Sequence, residues 1–228
     1  MIKNIFFDYN GALINFEACE KEALRLAGCN YGKLITTEEI EIYQKINSAL
    51  WERYNAGEIS RDTVLVERFD KFLQIIGLNI KPEVFNGFYL DKLEDLFVLE
   101  PHITETLELL SEKYNLYVVT NGVQKLVMNK LFNAKLSFFI KDVFTSERVG
   151  YHKPSLEFFS FCLENINAKP DECIIVGDLL TSDIVGGIES GISTCWYNPK
   201  KISNNSNIVP NVEICDFADL DFTIYGLP

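Results

Sequence analysis

Short apolar runs recur along the chain and stop abruptly at polar residues. Ile5 to Phe7, in a strand expected from Ile2, runs into Asp8, Leu116 to Val119 into Thr120-Asn121-Gly122, and Cys173 to Val176 into Gly177-Asp178. Runs of this length without polar alternation predict strands buried on both faces. Asp142 to Thr145, Ser193 to Tyr197 and an edge strand over Val212 to Cys215 complete the set. Helical periodicity fills the gaps, over Ile103 to Tyr114, Leu156 to Ile166 and Ile184 to Gly191.

Between the first strand and the second the pattern is helical throughout. Ile40, Tyr43, Ile46, Leu50 and Tyr54 recur at helical spacing until Gly57. Ser60 reads as the N-cap of a further helix that buries Val64, Leu65, Phe69, Phe72, Leu73 and Ile76, with Gly77 at its end. Pro82 opens another, carrying Val84, Phe85, Phe88 and Tyr89. The expected fold class is α/β: a doubly wound, Rossmann-like parallel sheet with a helical domain inserted after the first strand. The expected boundaries are 1–14 and 91–228 for the sheet core and 15–90 for the helical insert.

Nearly half of the 228 residues are hydrophobic, which supports a sizeable core, and the formal net charge is -12. That charge disfavours nonspecific binding to nucleic acid or anionic membranes. It leaves room for an anionic small molecule, which needs only local positive charge or a metal. The six cysteines contain no Cys-x-x-Cys pair and read as reduced, mostly buried thiols of a cytoplasmic protein. The start resembles no signal peptide, and no apolar run reaches membrane-spanning length. The expected assembly is a monomer or homodimer.

In an open parallel sheet, ligands bind beyond the carboxyl ends of the strands. Asp8, Thr120-Asn121 and Asp178 stand at such ends. Lys153, in Tyr151-His152-Lys153-Pro154, precedes a helix, and Asp183 follows Asp178 by five residues. Carboxylates with a lysine and a hydroxyl suit a magnesium ion and a phosphate, since hard cations take oxygen ligands and phosphoryl oxygens need positive charge. Taken alone, Asn10-Gly11 reads as a hairpin turn, Asn121-Gly122 as a turn and Asp178 as a helix cap. His102 and His152 have no motif partners and read as surface or satisfied histidines. Trp196 reads as packing.

The order Asp-x-x-Gly, Thr-Asn-Gly, Lys-Pro and Gly-Asp-x-x-x-x-Asp resembles the haloacid dehalogenase-like hydrolases, and the helical insert resembles that superfamily's type 1 cap. Tyr43-Gln44-x-x-Asn47-x-x-Leu50-Trp51-x-x-Tyr54-x-x-Gly57, with Thr181 to Pro199, is similar to the noncanonical pyrimidine nucleotidases, which are 5'-nucleotidases. The resemblance implies that Asp8 attacks phosphorus and forms an aspartyl-phosphate. It implies a magnesium ion held by Asp8, the backbone carbonyl of Asn10 and Asp178, with Asp183 bracing that shell. Thr120, the Asn121 amide and Lys153 would hold phosphate oxygens. The cap would close over the site, with Trp51 as a candidate contact to a base.

The sequence departs from the family pattern within the nucleophile loop. Asn10 stands where the family has a second aspartate, the general acid and base; an amide can be neither. Ala12 replaces a usual threonine, and Leu179 a residue more often small and polar. Four explanations stay open for Asn10. The protein is a weakened phosphatase, or a phosphate-ligand binder descended from an enzyme. Alternatively, Asn10 is a deliberate substitution that traps substrate, or Asn10-Gly11 deamidates to restore an acid. A dehalogenase, which also uses an aspartate nucleophile, is a further alternative, as is an interaction protein without a ligand.

Overall fold

The computed structural model describes residues 1–225, without the side chains of Asn55, Phe222 and Tyr225; residues 226–228, expected to close the sheet core, lie outside the described residues. The chain forms two compact units, Met1–Phe16 with Phe97–Pro228, and Glu17–Leu96.

In the first unit, β1 (Asn4–Phe7), β2 (Asn115–Thr120), β3 (Ile140–Thr145), β4 (Cys173–Gly177), β5 (Ser193–Tyr197) and β6 (Val212–Ile214) make one parallel sheet in the order β3-β2-β1-β4-β5-β6. The expected α/β class is what forms. Asn10-Gly11 makes no hairpin: β1 pairs in parallel with β2 and β4, so Phe7 faces Val118 on one side and Val176 on the other. Chain order reverses at β1, which places the switch point, and the crevice such sheets use for ligands, beyond Phe7.

Successive side chains of a strand face opposite sides. Phe6 therefore joins a cluster with Tyr117, Phe144, Phe158, Phe159 and Ile175, while Phe7 packs toward Phe217 with ring centroids 6.4 Å apart. The helices of this unit are α5 (Ile103–Ser111), α6 (Gln124–Asn133), α7 (Ser146–Val149), α8 (Leu156–Ile166), α9 (Val185–Glu189) and α10 (Leu220–Tyr225), numbered after the four of the other unit. α5 stops at Ser111, short of the expected Tyr114. The one-turn α7 carries no periodicity to announce it; it is capped by Thr145, whose hydroxyl accepts from Arg148 N–H at 3.2 Å. The helix expected from Ile184 is preceded by a π-helical turn over Leu180–Ile184.

The second unit holds α1 (Phe16–Asn30), α2 (Thr37–Asn55), α3 (Arg61–Ile75) and α4 (Pro82–Asp95). Its core is aromatic: Tyr43 stacks on Phe69 at 5.3 Å, and Phe69 meets Phe85 and Tyr89 at 5.1 Å each. Thr36 and Glu39 close a capping box on α2, and the Ser60 hydroxyl caps α3. α4 runs on to Asp95, past the apolar stripe that ends near Tyr89.

α9 lies close on the sheet because Gly186 and Gly187 have no side chains. A Cβ on Gly187 would stand 2.6 Å from both Ile175 Cγ2 and Thr194 Cγ2, and one on Gly186 would collide with the Phe159 ring. Helix propensity alone favours alanine over glycine by about 1 kcal/mol, whereas overpacking costs about 1–3 kcal/mol. Gly187→Ala is therefore expected to lower the urea midpoint; a raised midpoint would show that α9 has room to lift.

Candidate active site

The strand ends of β1, β2 and β4 deliver the predicted residues to one place. Asp8 directly follows β1, and its N–H donates to the Val176 carbonyl at 2.8 Å, carrying the ladder one residue further. Lys153 is buried, and its ammonium donates to Asp8 Oδ1 at 2.5 Å, Asp183 Oδ1 at 2.6 Å and the Val119 carbonyl at 3.0 Å. An ammonium has three N–H donors, and all three are used. Its direction is thus fixed by β1, β2 and the turn after β4 together.

The Asn121 side chain is turned toward the backbone of Lys153. Its side-chain amide donates to the Lys153 carbonyl at 3.0 Å and accepts from the Lys153 N–H at 2.8 Å. This paired contact clamps the backbone at the cis Lys153–Pro154 peptide. The side chain is therefore engaged in holding the lysine. Thr120 is buried, and its hydroxyl accepts from the Gly122 N–H at 3.1 Å, leaving its own proton to donate.

Asp183 is fully buried, with Oδ1 on Lys153 and Oδ2 accepting from the Leu179 N–H at 3.1 Å. That second bond ties the carboxylate back to the start of the π turn, whose own backbone bond runs from the Ile184 N–H to the Leu179 carbonyl at 3.4 Å. Gly177 is required beneath it, since a Cβ there would overlap the Asp183 carboxylate. Leu179 contributes only its backbone; its side chain is exposed.

Asp178 contrasts with both. Its Oδ1 is buried with no hydrogen-bond partner among the described residues. Carboxylate oxygens of Asp8, Asp178 and Asp183 all lie within 4.8 Å of one another. Gly11, at φ +86°, passes against the Asp178 carboxylate, where a Cβ would collide with it. Burial pushes the Asp178 carboxyl up to about 8, with the charges of Asp8 and Asp183 adding to the effect. Burial likewise raises Asp8, to about 6, against the pull of Lys153. Burial opposes the charge on Lys153, but the two carboxylates outweigh it and hold its pKa above the ordinary lysine value. Three carboxylates against one ammonium leave a formal charge of −2 when all are ionised. An unpartnered hard oxygen within such a deficit fits a small divalent cation.

Asn10 is exposed on a tight loop closed by Gly11 N–H to the Ile14 carbonyl at 2.7 Å and Ile14 N–H to the Tyr9 carbonyl at 2.9 Å. The Gly11 nitrogen is the atom that attacks the side chain in asparagine deamidation, and this hydrogen bond opposes that reaction. Ala12 is fully buried. Trp51 belongs to the helical unit, where it meets Tyr54 edge-on at 5.4 Å. His102 pairs with Asp216 at 2.7 Å, and this hydrogen bond raises its pKa. Trp196 was expected only to pack; it is buried, and its indole N–H also donates to the Asp178 carbonyl at 2.9 Å.

The haloacid dehalogenase-like hydrolase model matches residues 5–197, a span that contains every residue of this cluster. The chain belongs to that family. YfnB of Bacillus subtilis, a HAD-hydrolase, is 32% identical over 219 residues, covering 96% of this chain and 93% of YfnB. The crystal structure of YfnB bound to magnesium superposes with a TM-score of 0.89 over 99% of both chains. The pyrimidine 5'-nucleotidase YjjG of Escherichia coli is 27% identical, covering 95% of each chain. PynA of Streptococcus pneumoniae, also a pyrimidine 5'-nucleotidase, is 28% identical over 96% of this chain and 93% of its own. Among the described residues of this HAD-like hydrolase, no helix is long and apolar enough to cross a membrane.

The raised Asp178 pKa has a consequence for stability. Its folded value lies above the unfolded one of about 3.9, so its contribution is fully present below pH 4 and is lost as pH rises through about 8. Asp178→Asn should therefore raise the melting temperature of the metal-free protein more at pH 8 than at pH 5. Equal effects at both values, by calorimetry in chelator, would show that the carboxylate is not strained by its surroundings.

Proposed function

We propose that this hydrolase is a magnesium-dependent phosphomonoesterase, a 5'-nucleotidase acting on pyrimidine nucleoside monophosphates, with Asp8 as nucleophile. The observation that carries the reading is the unpartnered Asp178 oxygen beside Asp8 and the fixed Lys153. A phosphate monoester is itself dianionic near neutrality and would be repelled by a site whose carboxylates outnumber its one ammonium. A divalent cation removes that obstacle. The substrate class is supported by the pyrimidine nucleotidases YjjG and PynA, and magnesium by the bound form of YfnB.

Asp8, the Asn10 backbone carbonyl and Asp178 would hold the magnesium ion. When bound, it supplies positive charge to the phosphoryl oxygens and aligns them with the nucleophile. Asp183, with both oxygens already accepting, braces Lys153 and the Leu179 backbone. A pKa of about 6 leaves Asp8 ionised at neutral pH and able to attack phosphorus. The P–O bond to the nucleoside breaks as the Asp8–P bond forms, and the departing alkoxide must gain a proton. Lys153 offsets the negative charge that gathers on the phosphoryl group. The Thr120 hydroxyl and the Asn121 backbone N–H offer hydrogen bonds to its oxygens. Water then cleaves the aspartyl-phosphate.

Asn10 affects both proton transfers. Its amide neither protonates the alkoxide nor activates the water. General acid–base catalysis contributes about 10²–10⁴-fold. Asn10 is also the observation that favours a second reading, a phosphate-ligand binding protein using Asp8, Asp178 and Lys153 without turnover. The orphaned Asp178 counts against a dehalogenase, whose halide chemistry has no use for a cation site.

Phosphate release with magnesium, from pyrimidine nucleoside monophosphates and an activated aryl phosphate, tests the proposal. Asn10→Asp should raise nucleotide hydrolysis about 10²–10⁴-fold and aryl phosphate hydrolysis by less, and Asp8→Asn should abolish both. Equal turnover with Asn and Asp at residue 10 would place the proton transfer elsewhere. Silence in both proteins would leave the binding reading.

A further inference from the structure

Asp178 must keep its Oδ1 in a buried position where no donor among the described residues meets it. The backbone around it has to resist the outward rotation that would return the charge to water. Gly11 blocks one side, since its backbone lies against the carboxylate. The next residue, Leu179, is locked: its N–H bonds Asp183, and its carbonyl accepts from Ser182, Asp183 and Ile184 N–H groups at 3.3, 2.9 and 3.4 Å. The carbonyl of Asp178 itself is held by the Trp196 indole at 2.9 Å. Trp196 is a buried residue of β5 paired in register with Gly177, so its ring is fixed by the sheet.

We propose that Trp196 is a positioning residue for cation binding, its indole N–H fixing the backbone from which the Asp178 carboxylate, with its unpartnered Oδ1, projects. This rests on the magnesium reading above. Groups that hold a metal ligand from behind commonly change metal affinity 10–100-fold when removed. Phenylalanine at 196 keeps an aromatic ring but cannot donate. A purely packing role for Trp196 would lower the melting temperature of the metal-free protein and leave metal affinity alone.

The test is equilibrium binding of Mg²⁺ by isothermal titration calorimetry to the full chain, unsubstituted and with Trp196→Phe. The expected result is a 10–100-fold weaker Kd in the variant. A Kd within twofold of the unsubstituted protein overturns the proposal while leaving the magnesium site intact. No binding by the unsubstituted protein overturns the magnesium reading and this inference together. If Trp196→Phe does not fold, Trp51→Phe serves instead, because it leaves Trp196 as the sole indole in the chain. Its emission should then shift as Mg²⁺ saturates the site, and an emission unmoved by Mg²⁺ that calorimetry shows to be bound overturns the proposal.

Discussion

The Lys153 ammonium is the interaction on which the rest of the active-site geometry depends. A buried cation is stable only if its donors are all met and its charge is balanced. Here the three acceptors come from separate parts of the chain: Asp8 after β1, Val119 within β2 and Asp183 in the turn after β4. Each strand must end where it does for the ammonium to be satisfied. Removing one charged partner of a buried pair typically destabilises by about 3–5 kcal/mol, so the same contacts that orient the Asp8 carboxylate also fasten the sheet at its switch point. The Asn121 clamp extends this control to the lysine backbone.

Against that satisfied centre, Asp178 is deliberately incomplete. Asp183 is met on both oxygens and is content in the folded protein; Asp178 is not. The two carboxylates, five residues apart, therefore do different work. One holds protein to protein, and the other holds an acceptor open. The cost is a carboxyl whose ionisation the fold disfavours. It is tolerated because the turn between the two residues is braced from β5 and from the loop carrying Gly11.

Much of this was legible in the sequence, and the reason is local. A strand buried on both faces announces itself by an apolar run, and the polar residue that ends it marks the crevice, so Asp8, Thr120 and Asp178 could be placed before any contact was known. The helical unit was legible through its stripes and caps, such as Ser60. What escaped is non-local or carried by backbone atoms. The Val119 carbonyl has no sequence signature. Trp196 looks like any buried aromatic until its N–H is seen to face Asp178. Asp216 lies 114 residues from His102, so no motif could join them. The π turn is bridged by Asp183 reaching back to the Leu179 N–H, a contact that helical periodicity does not encode.

The two departures in the loop after β1 are of different kinds, and burial separates them. Ala12 is fully enclosed. A threonine there would need a partner for its hydroxyl, whereas alanine leaves nothing unsatisfied, so that change is absorbed by packing. Asn10 is exposed. A carboxylate at that position would remain hydrated, and the fold gains little from its absence. The loop itself is held by Gly11 and Ile14 backbone bonds that any residue at 10 permits. Structure therefore gives no reason for asparagine at residue 10, and under the proposed mechanism the consequence of having it there falls on proton transfer.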